Sequence, residues 1–497
     1  MSEKLKICLL IICVFLCAMI PDALGASYTR TFAAAQVELR NFASISLDNP
    51  YLPIIALLGV SMAIATFYFP RFGLFIMLFF VMISTDMPVG GGKDNVRPAT
   101  IRFEDIVLLL VSIGWVLNRA KTRSLSSIKE SRLYKPILAM SLIIIIATIF
   151  GILQNTVQLN KGILYSMKRL EYFWIFFMTY NLMETKDDAW LSIRLFLVGA
   201  AAVSVIGIAQ FTVLPMSELA AGGSTATAGF GRANTLADFY LIIFGVAIGL
   251  FIHCRDKKWI SIYVVLISLF ALAIMMTKSR GAYVSIPFIL VVVAYFSRNV
   301  KFIIIVATLS SFALLYQIGS IFITSQTAEV ILTKHTDDIK YQVESIGDVI
   351  KKGPTADSSM KARYDAWNWA IPEIKKYPLF GHGVGSKPLY FFDNQYVAEL
   401  YDTGILGLLI FIYLNLIIFT TVFIFYKGVD DDFSKGLALG FMGGHIGILI
   451  HGITITNFYT IINMEAFWFI LAIIMLLYHL KLKESRNKIM EPVNPLS

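Results

Sequence analysis

Long apolar runs, broken by short polar segments, recur along almost the whole chain. Many approach the roughly 20 residues that an α-helix needs to cross the hydrocarbon core of a bilayer. Lipid offers no partner to unpaired backbone groups, so each run is predicted to be a helix. The fold class is therefore an all-α polytopic membrane protein. The predicted spans are residues 51–69, 72–86, 103–118, 136–153, 168–183, 190–213, 234–252, 259–276, 282–297, 302–319, 397–425, 436–454 and 462–480.

One further apolar stretch, residues 5–20, follows Lys4 and Lys6 at the amino terminus. It precedes Ala23-Leu24-Gly25, which has the small residues of a signal-peptide cleavage site. The stretch is either a cleaved signal or a retained first span, and we favour the retained span. About 14 transmembrane helices are then expected, or 13 if the segment is removed.

Composition agrees with this interpretation, because 57% of the residues are hydrophobic and only 15% are charged. Soluble domains carry about 25% charged residues. The net charge of +9 is concentrated in short loops and the tail, which the positive-inside rule places in the cytoplasm. No nucleic-acid partner is expected, since no basic domain lies outside the membrane. With both termini inside, the predicted external segments are 20–51, 86–102, 214–233 and 320–396.

The chain divides into four parts. Residues 1–319 form a transmembrane domain, 320–396 a large external (periplasmic) loop domain, 397–480 the last transmembrane helices and 481–497 a cytoplasmic tail. Only the loop domain is long enough to fold outside the membrane. The four cysteines suggest neither a disulfide framework nor a metal site.

The loop domain contains one clear helical pattern. Met360, Tyr364, Trp367 and Ile371 recur at helical spacing behind Ser358, which predicts an amphipathic helix that ends before Pro378. We expect its apolar stripe to face the membrane. The glycines of GHGVGS, residues 381–386, then predict a plain loop, because a phosphate loop would need Gly-Lys-Ser/Thr and a preceding strand.

Two cations, Lys278 and Arg280, stand in a tight external turn within MMTKSRGAYVSI. The positive-inside bias disfavours cations there, so they are candidates for binding an anion. The alternative is helix termination, in which Gly281 is a left-handed cap and the cations neutralise the helix dipole.

Two more arginines are predicted on the same side. Arg232 opens a span within GFGRANTLADFY, where Thr235 and Asp238 have the spacing of a capping box, and alone it could be a rim residue. Arg363 lies on the predicted loop helix, where a solvated role is the alternative.

A carboxylate completes the set. Asp393 and Asn394 precede a long span, and Asp393 is either a reactive group or the helix N-cap. Gly404 and Gly407 follow as small residues that permit close helix contact. Arginine suits pyrophosphate because its planar fork donates paired hydrogen bonds and keeps its proton. A carboxylate ionised at neutral pH can accept a proton from a hydroxyl.

These motifs, in this order, resemble the O-antigen ligase and Wzy-type polysaccharide polymerase family. The resemblance covers about residues 225–425 and includes SRGA, Arg363-x3-Trp367 and Pro378-Leu-Phe-Gly-x-Gly. Ligases follow with His-Asn, nine residues and Gly-x-x-Gly, whereas this chain has Asp393-Asn394 before Gly404-x-x-Gly407. The aspartate in place of the histidine favours a polymerase-like member.

The resemblance implies a GT-C-like membrane glycosyltransferase in the bacterial inner membrane, with its site facing the periplasm. It would transfer a glycan from an undecaprenyl-type pyrophosphate donor to an acceptor hydroxyl, with inversion and without a metal or other cofactor. Asp393, Arg280 and Arg232 would be catalytic, and Arg363, Lys278 and Asn394 would bind substrate.

Several alternatives stay open. Polymerisation of polysaccharide repeat units is favoured over an O-antigen ligase that transfers the glycan to lipid A core or another acceptor. A flippase for the same lipid-linked glycan is a third function, although transporters place charges near the membrane midplane and here they lie near span ends. A chain-length regulator is a further partner implied by the family.

Overall fold

The computed structural model describes residues 67–83, 86–89, 99–122, 131–213, 233–298, 358–386 and 392–490, with a few single positions. The chain separates into two units, Met1–Ile64 and Ala65–Ser497, and the description below concerns the second. The predicted spans 5–20 and 302–319, most of 51–69 and the candidate Arg232 lie outside the described residues.

The described part is mainly helical. One 3₁₀ turn, Asn457–Tyr459, joins the last two helices. The α-helices are α1 (Pro70–Ile83), α2 (Phe103–Thr122), α3 (Tyr134–Leu153), α4 (Leu159–Leu182), α5 (Lys186–Val213), α6 (Ala233–His253), α7 (Lys257–Met276), α8 (Arg280–Ser297), α9 (Ser358–Ile374), α10 (Gln395–Gly428), α11 (Asp432–His451) and α12 (Ile461–Met490).

Within the described residues, eight helices are long and apolar enough to cross a membrane: α3, α5, α6, α7, α8, α10, α11 and α12. The chain is thus a polytopic helical membrane protein. Helix α4 is not among the eight, because Lys168, Arg169 and Glu171 interrupt its apolar sequence. The expectation of about 14 spans remains a prediction, since several of those segments are not described.

A two-stranded antiparallel pair is the exception to the all-α prediction. Strands β1 (Asp86–Val89) and β2 (Ala99–Arg102) pair with Asp86 opposite Arg102, inside a segment predicted as an external loop. Pro88 and the Gly90–Gly92 run between the strands disfavour a helix there, so the backbone groups pair across a hairpin instead.

Helix α6 lies at the centre of the helix assembly, and residues 235–252 of its spanning stretch are all buried. It packs antiparallel on α11 along a glycine seam. A Cβ on Gly245 would lie 2.6 Å from the backbone nitrogen of Gly444, and one on Gly249 would lie 2.5 Å from Cα of Gly440. Only residues without a side chain allow two helix backbones to approach this closely. The seam fixes the register of α6 against α11.

Contacts assign the connections to two ends of the assembly. At one end, here called the site end, the α7–α8 turn contacts the α11–α12 connection through Ser279 and His451, and the 378–386 loop contacts the α3–α4 connection through Thr156. At the other end Arg255 pairs with Asp432. These contacts agree with the predicted threading of the described helices, while the side of the membrane on which each end lies stays a prediction.

Helix α10 is broken at Gly404, where φ is 70° and ψ is −170°. The 378–383 loop enters this break. His382 N donates to Tyr401 O (2.8 Å), Gly383 N donates to Asp402 O (2.9 Å) and Ile405 N donates to Pro378 O (2.9 Å). The loop thus replaces the helical hydrogen bonds that the break removes.

This break corrects the expected role of Gly404 as a small residue at a helix contact. A Cβ at Gly404 would lie 2.6 Å from Phe380 N, and its positive φ is costly for any other residue. The Pro-Leu-Phe-Gly-x-Gly motif and the Gly-x-x-Gly motif are therefore two parts of one backbone arrangement.

Candidate functional site

The α7–α8 turn holds the two predicted cations. Lys278 has the left-handed conformation, with φ of 52°, and Arg280 is the first residue of α8. Both side chains are half-buried. The left-handed cap at Gly281, which belonged to the alternative of helix termination, is not formed, because Gly281 lies in the first turn of α8 and is not among the residues of positive φ. Gly281 is needed for close approach, since a Cβ there would lie 2.5 Å from Cδ2 of His451.

A buried hydrogen-bond chain supports this turn. Ser279 Oγ lies 3.1 Å from Nε2 of His451, and Nδ1 of His451 lies 2.6 Å from Oδ1 of Asp238. Asn457 Nδ2 donates a second hydrogen bond, of 3.0 Å, to the same carboxylate oxygen. Ser279, His451, Asp238 and Asn457, here called the His451 network, are each at most 3% exposed.

The two nitrogens of the His451 ring face different partners in the His451 network. Nδ1 is hydrogen-bonded to the Asp238 carboxyl group, and Nε2 is hydrogen-bonded to the Ser279 hydroxyl, which can donate or accept. Asp238 was expected to belong to a capping box with Thr235. It is instead held against α11 by the register of the glycine seam.

The start of α10 is fixed by Asn394. Its Oδ1 accepts from the backbone nitrogens of Tyr396 (2.9 Å) and Val397 (3.0 Å), so Asn394 is the N-cap. The alternative role of Asp393 as the cap is therefore wrong. Asp393 precedes the cap in the left-handed conformation, with φ of 39°, and its side chain is half-buried.

One turn connects the cations to the aspartate. Residues 451–454, here called the 451–454 turn, comprise the last residue of α11 and the three residues after it. Asn394 Nδ2 donates to Ile453 O (3.0 Å) and Gln395 N donates to Gly452 O (2.7 Å), while the His451 ring is hydrogen-bonded to the Ser279 hydroxyl. The structure thus brings the segments of Lys278, Arg280, Asp393 and Asn394 onto one turn. Arg232 directly precedes α6 but is not described.

Helix α9 carries Arg363, and its presence confirms the predicted loop helix. Trp367 Nε1 donates to Phe392 O (3.0 Å), next to Asp393, which ties the Arg-x3-Trp motif to the start of α10. That the apolar stripe faces the membrane stays a prediction. Ala366 and Ala370 form the buried face, whereas Tyr364 and Ile371 are 42% and 53% exposed. Arg363 is half-buried on this helix.

A second buried polar group lies beside the loop that enters α10. Arg169 forms an ion pair with Asp402, lies 4.0 Å from Glu399 and stacks 3.5 Å from the ring centroid of Tyr459. Tyr459 OH donates to Glu399 Oε2 (2.8 Å). Burial raises the pKa of the Tyr459 hydroxyl, which keeps this proton in place. These four residues are called the Arg169 cluster. Glu399 and Asp402, two carboxylates that follow Asp393 in the sequence, are thus engaged with Arg169.

His382 in the 378–383 loop stacks on Tyr401, with ring centroids 4.1 Å apart. Burial lowers the pKa of His382, partly offset by its backbone hydrogen bond to Tyr401 and by Glu373. The ring is therefore neutral at pH 7.

Sequence reasoning missed His451 and Arg169. Each left a signal, a histidine at the end of an apolar run and an arginine within one. Charged or polar groups at such positions are seldom left without a partner. The partners, Asp238 and Asp402, lie 213 and 233 residues away in sequence, so a local pattern could not identify them.

The fold and this polar end define a multi-pass membrane protein in which cationic and acidic side chains gather near one end of the helices. Residues 262–412 match the O-Antigen ligase family. The match confirms the resemblance and contains Lys278, Arg280, Arg363, Asp393 and Asn394, but is narrower than the 225–425 expected. It supports a membrane-bound function of the O-antigen ligase and polymerase type. No curated protein matches the chain.

Proposed function

We propose that this protein is a membrane glycosyltransferase that takes a glycan from a polyprenyl-pyrophosphate donor and transfers it to a sugar hydroxyl, extending a polysaccharide. The observation that carries the proposal is the joint anchoring of the Lys278–Arg280 turn and the Asp393–Asn394 segment on the 451–454 turn. Cations for a pyrophosphate and a carboxylate for a hydroxyl are the two groups that such a transfer requires.

The cations would act on the leaving group. Arg280 and Arg232 would hold the pyrophosphate while negative charge develops on it, with Lys278 and Arg363 positioning the donor. Preorganised donors of this kind are worth roughly 3 to 4 kcal/mol each in the transition state. The proposed transfer needs no metal, because arginine supplies the positive charge.

Asp393 would act on the acceptor. The acceptor hydroxyl oxygen forms the new bond to the anomeric carbon, the bond from that carbon to the pyrophosphate oxygen breaks, and the hydroxyl proton passes to Asp393. The polyprenyl pyrophosphate leaves with the bonding electrons. Attack opposite the leaving group inverts the anomeric carbon. A general base of this kind contributes about 10² to 10⁴ in rate.

Polymerisation of repeat units is the leading version, since Asp393 stands where ligases of the family carry a histidine. Transfer to a lipid acceptor is the second version, and the match of residues 262–412 to the O-Antigen ligase family favours it. Either reaction would take place at the outer face of a bacterial inner membrane, with a chain-length regulator as a further partner of the polymerase.

The test is incubation of the purified protein with its lipid-pyrophosphate-linked repeat unit alone, with product length resolved on a gel. If the protein is a polymerase, wild type should give a ladder of products, and Asp393→Asn should abolish it. Asp365→Asn, an exposed aspartate on α9, is the matched control and should leave the ladder unchanged.

Three other results would change this assignment. Product that forms only after a lipid acceptor is added would identify a ligase. A ladder undiminished by Asp393→Asn would remove Asp393 from the chemistry. Movement of intact donor across vesicles without any glycosidic bond formation would support the flippase and overturn the transferase.

A further inference from the structure

We infer that His451 is a positioning residue that sets the donor-binding turn and the acceptor-activating segment relative to one another. The inference deepens the proposed function and rests on it. His451 lies outside residues 262–412 and belongs to none of the motifs that carry the family resemblance.

The donor side depends on both ring nitrogens of His451. Asp238 accepts from Nδ1 at 2.6 Å, which fixes the plane of the ring, and Nε2 then meets Ser279 Oγ at 3.1 Å. Ser279 directly precedes Arg280, so the position of the ring determines where α8 begins. Gly281 packs against the same ring, which leaves the turn little room to shift.

The acceptor side depends on the backbone that follows His451. Gly452 O accepts a hydrogen bond from Gln395 N (2.7 Å), and Ile453 O accepts one from Asn394 Nδ2 (3.0 Å). Tyr396 OH adds a bond to Leu449 O (2.8 Å), one turn earlier on α11. A displacement of the end of α11 would therefore move the segment that carries Asp393.

The glycine seam gives the arrangement its rigidity. In the antiparallel pair of α6 and α11, Gly249 lies opposite Gly440, Gly245 opposite Gly444 and, further along the same register, Asp238 opposite His451. A slip of either helix would separate the carboxylate from the imidazole. The buried Asp238 would then lose a charge-assisted hydrogen bond, which makes the slip costly.

Serine, histidine and aspartate in this order also occur in nucleophilic enzymes, yet a positioning role fits this site better. Ser279 is only 3% exposed, and the ring of His451 is 1% exposed, so a substrate cannot reach the hydroxyl. The His451 network instead ends at Ser279, and the next residue, Arg280, is half-buried.

The test uses the full chain in detergent micelles and measures binding of geranylgeranyl pyrophosphate, with the corresponding alcohol as the lipid control. Arg280→Gln should weaken pyrophosphate binding if the proposed donor site is right. His451→Phe should weaken it about tenfold, a size usual for coupled neighbours. His445→Phe is the matched control, because His445 is equally buried on α11 but bonds to Asn415 at 2.8 Å.

A second variant separates positioning from stability. His451→Asn keeps an amide donor near the place of Nδ1 and can bond to Asp238, but it is too short to reach Ser279. Its melting temperature should recover relative to His451→Phe while pyrophosphate binding stays weak. Recovery of both would overturn the inference, because the bond to Ser279 would then be dispensable.

A double-mutant cycle gives the decisive measurement even if one variant folds poorly. Ser279→Ala should add little to the binding loss of His451→Phe, whereas it should add fully to any effect of His445→Phe. Additivity in both cycles, or equal binding by the His451 and His445 variants, would overturn the positioning role. Unchanged binding by Arg280→Gln would instead count against the proposed donor site, so the two failures are distinguishable.

Discussion

The His451 network and the Arg169 cluster are two buried polar groups at the same end of the molecule, and they differ in how charge is balanced. In the Arg169 cluster a guanidinium pairs with Asp402, approaches Glu399 and stacks on Tyr459, so the ionic groups meet one another. In the His451 network the partners of the Asp238 carboxyl group are an imidazole and an amide, and no guanidinium takes part.

The difference indicates separate roles. Arg169 is only 7% exposed and its partners surround it, so it holds α4 to the broken helix α10. The His451 network ends at Ser279, whose neighbours Lys278 and Arg280 are half-buried. A buried arginine is therefore expected to serve the fold here, and the half-buried cations to serve the ligand.

The largest effect is expected from Arg169→Met. It leaves Asp402 and Glu399 buried without their cation, and breaking a buried pair costs about 3 to 5 kcal/mol. Denaturant unfolding in detergent measures the loss. Lys376→Met removes an exposed pair with Glu373, whose lysine side chain is 59% exposed, and should change the unfolding free energy by less than about 1 kcal/mol. Equal effects of the two variants would contradict a structural role for the Arg169 cluster.

A smaller effect is expected from a substitution in the glycine seam, which should also disturb the His451 network. Gly249→Ala places a Cβ 2.5 Å from Cα of Gly440, and overpacking of this kind costs about 1 to 3 kcal/mol. Pyrophosphate binding should weaken as well, because the register of Asp238 and His451 is disturbed.

Gly428→Ala is the matched control for the seam. Its added Cβ meets only the flexible side chain of Lys481, at 3.1 Å from Nζ, so the variant should be neutral or slightly more stable. A stable Gly249→Ala variant with normal binding would show that the seam does not set the network.

The smallest effect is a pH dependence near the Arg169 cluster. The pKa of His382 is lowered by burial, so in acid the unfolded chain binds a proton that the folded chain does not. Stability should fall as pH drops below about 6.5, the ordinary pKa of histidine, until the lower folded pKa is reached. The contribution of His382 is measured by comparing the unfolding free energies of wild type and His382→Gln from pH 8 to pH 5. Parallel curves would refute it.

Much of the fold could be predicted because hydropathy and helical spacing are local. Residues close in sequence were enough to predict the described spans, the loop helix α9 and the loop at 378–386. They also predicted that the α7–α8 turn and this loop lie at the same end of the helices. The ordered motifs also predicted the family that residues 262–412 match. Residue chemistry was enough to choose arginine, lysine and aspartate as candidates for binding and transfer.

Tertiary structure alone decided the partners. Asp238 was expected to cap its own helix, yet the glycine seam places it against His451. Gly404 was expected to allow helix contact, yet the 378–383 loop, which lies more than 20 residues earlier in the sequence, enters the backbone break there. Asn394 rather than Asp393 caps α10, because an N-cap needs one particular backbone geometry. Such choices depend on register and backbone angles set by distant segments, which a local sequence pattern does not contain.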